Sequence, residues 1–283
     1  MAITAAQVKE LREMTGAGMM ECKKALTEAD ADMEKAVDLL REWGVAKVAK
    51  KAGRATNEGT IMALVADDAT SGVVIELNCE TDFVGMNEKF KGYAESIAKI
   101  ALAKKIGDVE ALKADEEVAA LITDCVHVMG ENTQLARVAF VEATGVCSYI
   151  HMGGKIGVLV NMTGGDEQLG KDIAMQIAAA APMAVDRDGV DASALEHEKE
   201  VLRKQAEEEG KPANIIERMV EGRINKFYKE VCLNEQIFVK DSEKTIKDVL
   251  GDVKVTEFTR FQLGEGIEKK QDDFAAEVAA QLK

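Results

Sequence analysis

Apolar residues at Val8, Leu11 and Met14 recur at helical spacing behind Thr4-Ala-Ala-Gln7, which has the capping-box spelling, and the run breaks at Thr15-Gly-Ala-Gly18. The pattern predicts one helix there, a second from Met19 to about Ala29, and a third from an Asp32 cap to Trp43 with Gly44 as C-cap. Lys47 to Gly53 then reads as a linker, because so small a bundle has little core of its own and needs a larger neighbour.

From Gly59 the period changes. Thr60-Ile-Met-Ala-Leu-Val65 and Gly72-Val-Val-Ile-Glu-Leu77 predict an antiparallel pair, followed by a helix over about Asn87 to Lys104. A helix over roughly Glu116 to Met129 leads into three strand-like segments, 135–141, 146–150 and 156–160, and then a helix over Glu167 to Ala180. This order lacks the strict alternation of a doubly wound sheet, and the fold class it predicts is α+β.

An internal repeat is visible in the same region. Gly72-Val-Val-Ile-Glu-Leu-Asn78 aligns with Gly157-Val-Leu-Val-Asn-Met-Thr163 at an offset of 85, whereas Ala94, Ile97 and Ala98 align with Ala174, Ile177 and Ala178 at an offset of 80. The first copy therefore spends five more residues between strand and helix, in the neighbourhood of Glu80 to Asn87. That stretch contains Phe83 and Val84. Two readings follow: one of them packs back on the next helix as a hydrophobic staple, or Phe83 is held out for a partner.

Past Pro182 the chain turns charged and helical. Helices over Ala194 to Glu209 and Ala213 to Tyr228 flank Gly210-Lys-Pro212, and Leu195, Val201, Leu202, Ile216, Met219, Val220, Ile224 and Phe227 fit the seam of an antiparallel coiled coil. Residues Gln236 to Leu263 return to strand, helix and strand, and Gln271 to Leu282 reads as one amphipathic helix after Gly264-Glu-Gly266.

Composition narrows the function more than the fold. With 283 residues, 47% hydrophobic and 31% charged, the chain is an ordinary globular sequence of two or three units. Its net charge of −15 opposes polyanions, so no direct nucleic-acid partner is expected, and the basic stretch Lys47 to Arg54 reads as a solvated helix end. Five scattered cysteines without a C-x-x-C pair, no signal-like N-terminus and no run of about 18 apolar residues predict a cytoplasmic protein with no membrane partner.

Candidate chemistry is sparse. His127, His151 and His197 lack metal-ligand spacing, Gly16-Ala-Gly18 with Lys23 and Lys24 fails the phosphate-loop spelling, and the paired acids have no evident reason for a shifted pKa. No catalytic residue, metal or cofactor is expected. What remains is interaction surface.

The residues that carry a resemblance are Val8 to Leu26 (VKELREMTGAGMMECKKAL), Asn78-Cys-Glu-Thr-Asp-Phe-Val84, Val220-Glu-Gly-Arg223 and Gly264-Glu-Gly-Ile-Glu268. Together they resemble the bacterial elongation factor Ts family, nearly end to end. The resemblance implies a guanine-nucleotide exchange factor that binds elongation factor Tu, the GTPase delivering aminoacyl-tRNA, in its GDP-bound and nucleotide-free states. It implies a ubiquitin-associated-like domain at 1–54, a core N-lobe at 55–140, a C-lobe at 141–182 and 229–263, a coiled-coil insertion at 183–228 and a C-terminal helical module at 264–283. By the same resemblance Phe83 is a wedge beside the partner's magnesium and nucleotide, Asp82 its polar neighbour, and Thr81 and Val84 shape the loop. Met19, Met20 and Lys23 form an N-terminal contact surface, and Met129, Gly130 and His151 map as further contacts. The alternative is a non-catalytic chaperone-like interaction protein, for which Phe83 would matter little.

Overall fold

A computed structural model describes residues 3–210 and 212–265. Helices α1 (Ala5–Thr15), α2 (Met19–Glu28) and α3 (Met33–Lys51) enclose Val8, Leu11, Cys22, Ala25, Leu26, Ala36 and Leu40. The capping box at Thr4 is formed reciprocally with Gln7, and Asp32 caps α3. Two expectations fail at α3: Gly44 is not a C-cap, and the linker predicted from Lys47 is helical as far as Lys51. The cause is tertiary. Gly44 is buried where α3 packs on a helix of the next unit, and packing of this kind outweighs the roughly 1 kcal/mol that glycine costs inside a helix.

Strands β1 (Glu58–Val65) and β2 (Ser71–Cys79) follow. After them come α4 (Asp82–Gly85), α5 (Glu88–Lys104), α6 (Val109–Ala114), α7 (Glu116–Met129) and β3 (Gln134–Glu142). The sheet order is β1-β2-β3, wholly antiparallel, and its outer face buries Val73, Ile75, Leu77 and Leu135 against Phe90, Ala94, Ile97 and Cys125. α7 is the helix on which α3 rests.

The second lobe repeats the plan. β4 (Val146–His151), β5 (Ile156–Thr163) and α8 (Glu167–Ala180) correspond to β1, β2 and α5. The chain then leaves the lobe through α9 (Ala192–Glu208) and α10 (Ala213–Val231), and returns by β6 (Ile237–Phe238), β7 (Asp241–Thr245), α11 (Ile246–Leu250) and β8 (Lys254–Gln262). β8 pairs with β5 as β3 pairs with β2, and the bulges at Glu76/Leu77 and Asn161/Met162 fall at the repeat offset of 85. The short α4, α6 and the two 3-10 turns at Arg187–Gly189 and Leu233–Glu235 carry too little periodicity to be predicted.

The two sheets meet face to face through Ile61, Ala63, Val74, Val146 and Leu159. Gly72 and Gly157, equivalent in the repeat, each sit at that contact. A Cβ on Gly72 would lie 2.8 Å from Val146, and one on Gly157 2.4 Å from Ile61, so this sheet-to-sheet approach requires glycine at both. α9 and α10 form a helical hairpin whose seam buries Leu202, Ala206, Ile216, Val220 and Ile224, with Arg203–Glu217 and Arg223–Glu209 ion pairs across it. Phe227, predicted in that seam, instead packs at the hairpin base with Ala184, Val190 and Cys232. The amphipathic helix predicted for 271–282 lies outside the described residues.

Aspartates cap several helices: Asp32 accepts from the Lys35 N–H, Asp115 from Glu117 and Val118, and Asp191 from Ser193 and Ala194. Each carboxyl is held below its ordinary pKa, Asp32 chiefly by that backbone N–H, Asp115 by Lys104 and Asp191 by the Ser193 hydroxyl. Because the folded value lies below the unfolded one, this stabilisation is present above about pH 4 and is lost as pH falls through the folded values. A pH series of thermal midpoints is expected to decline below about pH 4, and Asp115→Asn to flatten part of that decline.

Candidate functional site

The five residues that the first repeat adds between strand and helix form the loop around α4. Thr81 caps α4, its Oγ accepting from the Val84 N–H at 3.5 Å. The same hydroxyl donates to Glu131 Oε1 at 2.6 Å, while the N–H groups of Glu80 and Thr81 both donate to Glu131 Oε2 at 3.0 Å. Glu80 in turn accepts from the Asn132 N–H at 2.6 Å and from Arg54 at 3.3 Å. One carboxylate on the α7–β3 connection thus holds three donors of a loop some fifty residues earlier in the chain.

Beneath the loop, α4 lies directly on β1. A Cβ on Gly85 would sit 2.8 Å from the Gly59 carbonyl oxygen, and Gly59 itself has φ +149° with no space for a side chain beside Leu77 and Asn78. The loop is therefore clamped from both sides. Glu131→Ala is expected to speed hydrogen exchange of the Glu80 and Thr81 amides by about tenfold or more, since charge-assisted bonds contribute the most to such protection. Exchange read by mass spectrometry or NMR checks this.

On that rigid base the two apolar residues diverge. Val84 turns inward onto the N-lobe core, and Phe83 points out with 80% of its surface exposed, next to exposed Asp82 and Met86. The inward packing is thus made by Val84, and Phe83 is left exposed. Leaving a phenylalanine in water forgoes about 1.5–3 kcal/mol of burial, and nothing in the loop's own hydrogen bonding compels it.

The other predicted contacts border the same region. Met19 and Met20 are exposed on the first turn of α2, with Lys23 exposed one turn on. This end of the three-helix unit meets the last turns of α7, where Gly16 lies beside Val128 and Glu21 approaches His127 at 3.9 Å. Gly130, the C-cap of α7 at φ +76°, is exposed and its carbonyl accepts from Lys51; Glu131 follows it directly. Met129 is different, since it packs half-buried against the N-lobe core. His151 ends β4 half-buried, its Nδ1 3.2 Å from the Tyr149 hydroxyl. The structure thus brings the α2 tip, the end of α7 and the Phe83 loop to one end of the N-lobe.

Glu131, Glu80 and Arg54 were not singled out from sequence. Their signal is long-range: the acid after a Gly C-cap has no local mark of a role in a distant loop. A further apolar pair, Ile237 and Val239, is exposed in the C-lobe and was also not anticipated.

Among the described residues no group of three or more His, Cys, Asp or Glu side chains is placed to hold a metal ion, and no helix is long and apolar enough to cross a membrane. What the scaffold presents is exposed apolar side chains, Phe83 and Met86 on the α4 loop and Met19 and Met20 on α2. Comparison with known proteins is specific. The family model for elongation factor Ts matches residues 80–265. The chain is 49% identical over 300 residues to "Elongation factor Ts" of Clostridium botulinum strain Alaska E43, type E3, and equally to that of strain Eklund 17B, type B, with 99% of each chain covered. It is 46% identical to that of strain ATCC 19397, type A, across 99% of this chain and 98% of the relative. The chain belongs to the elongation factor Ts family.

Proposed function

We propose that this protein is a guanine-nucleotide exchange factor for elongation factor Tu. It docks on the GDP-bound GTPase, promotes GDP release, holds the nucleotide-free form and lets GTP rebind. Family membership supplies the partner; the observation that carries the mechanism is Phe83, exposed on a loop that Glu131 and the Gly59–Gly85 contact hold in place.

In this reading Phe83 wedges between partner helices near the magnesium and nucleotide, with Asp82 as its polar neighbour and Thr81 and Val84 fixing its aim. Mg²⁺ demands near-ideal octahedral geometry, so a small displacement of its ligands weakens nucleotide binding. Reciprocity then requires nucleotide to weaken docking by the same factor. Preorganisation of the loop matters because ordering costs are met before binding. Met19, Met20 and Lys23 add the N-terminal contact, and Met129, Gly130 and His151 the lesser ones. No covalent chemistry, cofactor or nucleic acid enters, and the work is done in the cytoplasm.

The same reading names the units: a ubiquitin-associated-like domain over 1–54, an α+β core and a coiled coil over 183–228. The test is release of fluorescent GDP from elongation factor Tu after mixing with this protein. Acceleration supports exchange, and an unchanged release rate contradicts it.

A further inference from the structure

Met152 opens the turn between β4 and β5, followed by Gly153 and Gly154. All three have positive φ, +50°, +67° and +106°. Glycine takes such angles freely, whereas an unbranched, bulky side chain there is strained. Met152 is nevertheless 70% exposed, and it belongs to none of the hydrophobic clusters formed by the described residues. Folding gains nothing visible from a strained, water-exposed methionine at this position.

The turn is not loose. The Ile61 N–H donates to the Gly154 carbonyl at 2.8 Å, Lys155 pairs with Glu58 at 2.7 Å, and a Cβ on Gly154 would lie 2.2 Å from the Thr60 hydroxyl oxygen. The turn is thus pinned to the first residues of β1, next to Gly59, the residue on which Gly85 and the Phe83 loop rest. Exposed apolar side chains from both lobes, Phe83 and Met86 from the first and Met152 from the second, are therefore anchored to one strand end. His151, the neighbour singled out from sequence, is turned toward Tyr149, and Met152 is the side chain this turn presents.

We propose that Met152 is a further apolar contact with the GTPase partner, set by the β4–β5 turn at the same end of the scaffold as Phe83. This rests on elongation factor Tu being the partner. A thioether side chain suits the role, because its flexibility lets it fill an irregular recess beside a rigid aromatic anchor.

The test compares full-length wild type, Met152→Asn and Met152→Leu for affinity toward nucleotide-free elongation factor Tu by titration calorimetry, and for stability by urea unfolding. Asparagine tolerates the left-handed angle and removes the apolar side chain; leucine keeps both the apolarity and the strain. The expected result is Met152→Asn binding about tenfold more weakly than wild type while being at least as stable, with Met152→Leu within about twofold of wild type. Met152→Asn binding as tightly as wild type overturns the contact. Met152→Leu falling as far as Met152→Asn also overturns it, by assigning the effect to the shape of the turn. If wild type itself shows no binding, the partner reading fails and this contact fails with it, a result distinct from a loss confined to the variants.

Discussion

Phe83→Ala is expected to reduce the acceleration of GDP release from elongation factor Tu by roughly thirtyfold or more, the cost of truncating an aromatic hot spot of about 2 kcal/mol or greater. The same substitution should leave stability within about 0.5 kcal/mol, because 80% of the side chain is already exposed and it supports no core cluster. That contrast makes the experiment discriminating. Stopped-flow release of fluorescent GDP gives the first quantity and urea unfolding the second. A chaperone-like interaction protein, with contacts spread over its helical hairpin and methionines, would show little change in either. Parallel loss of activity and of stability would instead mark Phe83 as a packing residue.

The largest effect on stability is expected at Arg137. Its guanidinium donates to Glu76 Oε2 at 2.7 Å and to the Gln262 carbonyl at 2.8 Å, and stacks 4.2 Å from the Phe261 ring centroid. Glu76 is 1% exposed, and its other oxygen accepts from the Gly264 N–H at 3.0 Å. This pair joins the central strand of the first sheet to the end of β8 in the second. Arg137→Ala would leave a buried carboxylate facing a single backbone donor, which costs about 3–5 kcal/mol when a buried pair is broken from one side. Glu76→Leu with Arg137→Met, which removes both charges, should recover most of that loss. The two unfolding curves separate a dependence on the charged pair from a dependence on bulk.

Much of the framework is legible in the sequence because its signals are local. Short apolar runs predict β1, β2 and β5, capping residues locate the starts of α1 and α3, and the offsets of 85 and 80 mark where one repeat carries an added loop. The structure puts α4 in that addition. What local pattern misses is decided across the chain. Gly44 reads as a helix stop until α7 is packed beside it, and the α3 helix then continues for seven more residues. Which of Phe83 and Val84 faces the core depends on α4 lying over Gly59, a contact no spacing encodes. Glu131 and Arg137 act on partners dozens of residues away, and the exposure of Met152 follows from a turn conformation set by two following glycines.

The central claim is a coupling between docking and nucleotide binding, so the most direct measurement is the affinity of this protein for elongation factor Tu with and without saturating Mg²⁺·GDP, by calorimetry at fixed ionic strength. A wedge at the nucleotide site predicts that GDP weakens docking by about five- to 150-fold, the range of typical coupling energies, and that Phe83→Ala shrinks the factor toward one. Equal affinity for both states would contradict the account, since a ligand indifferent to nucleotide cannot drive its release.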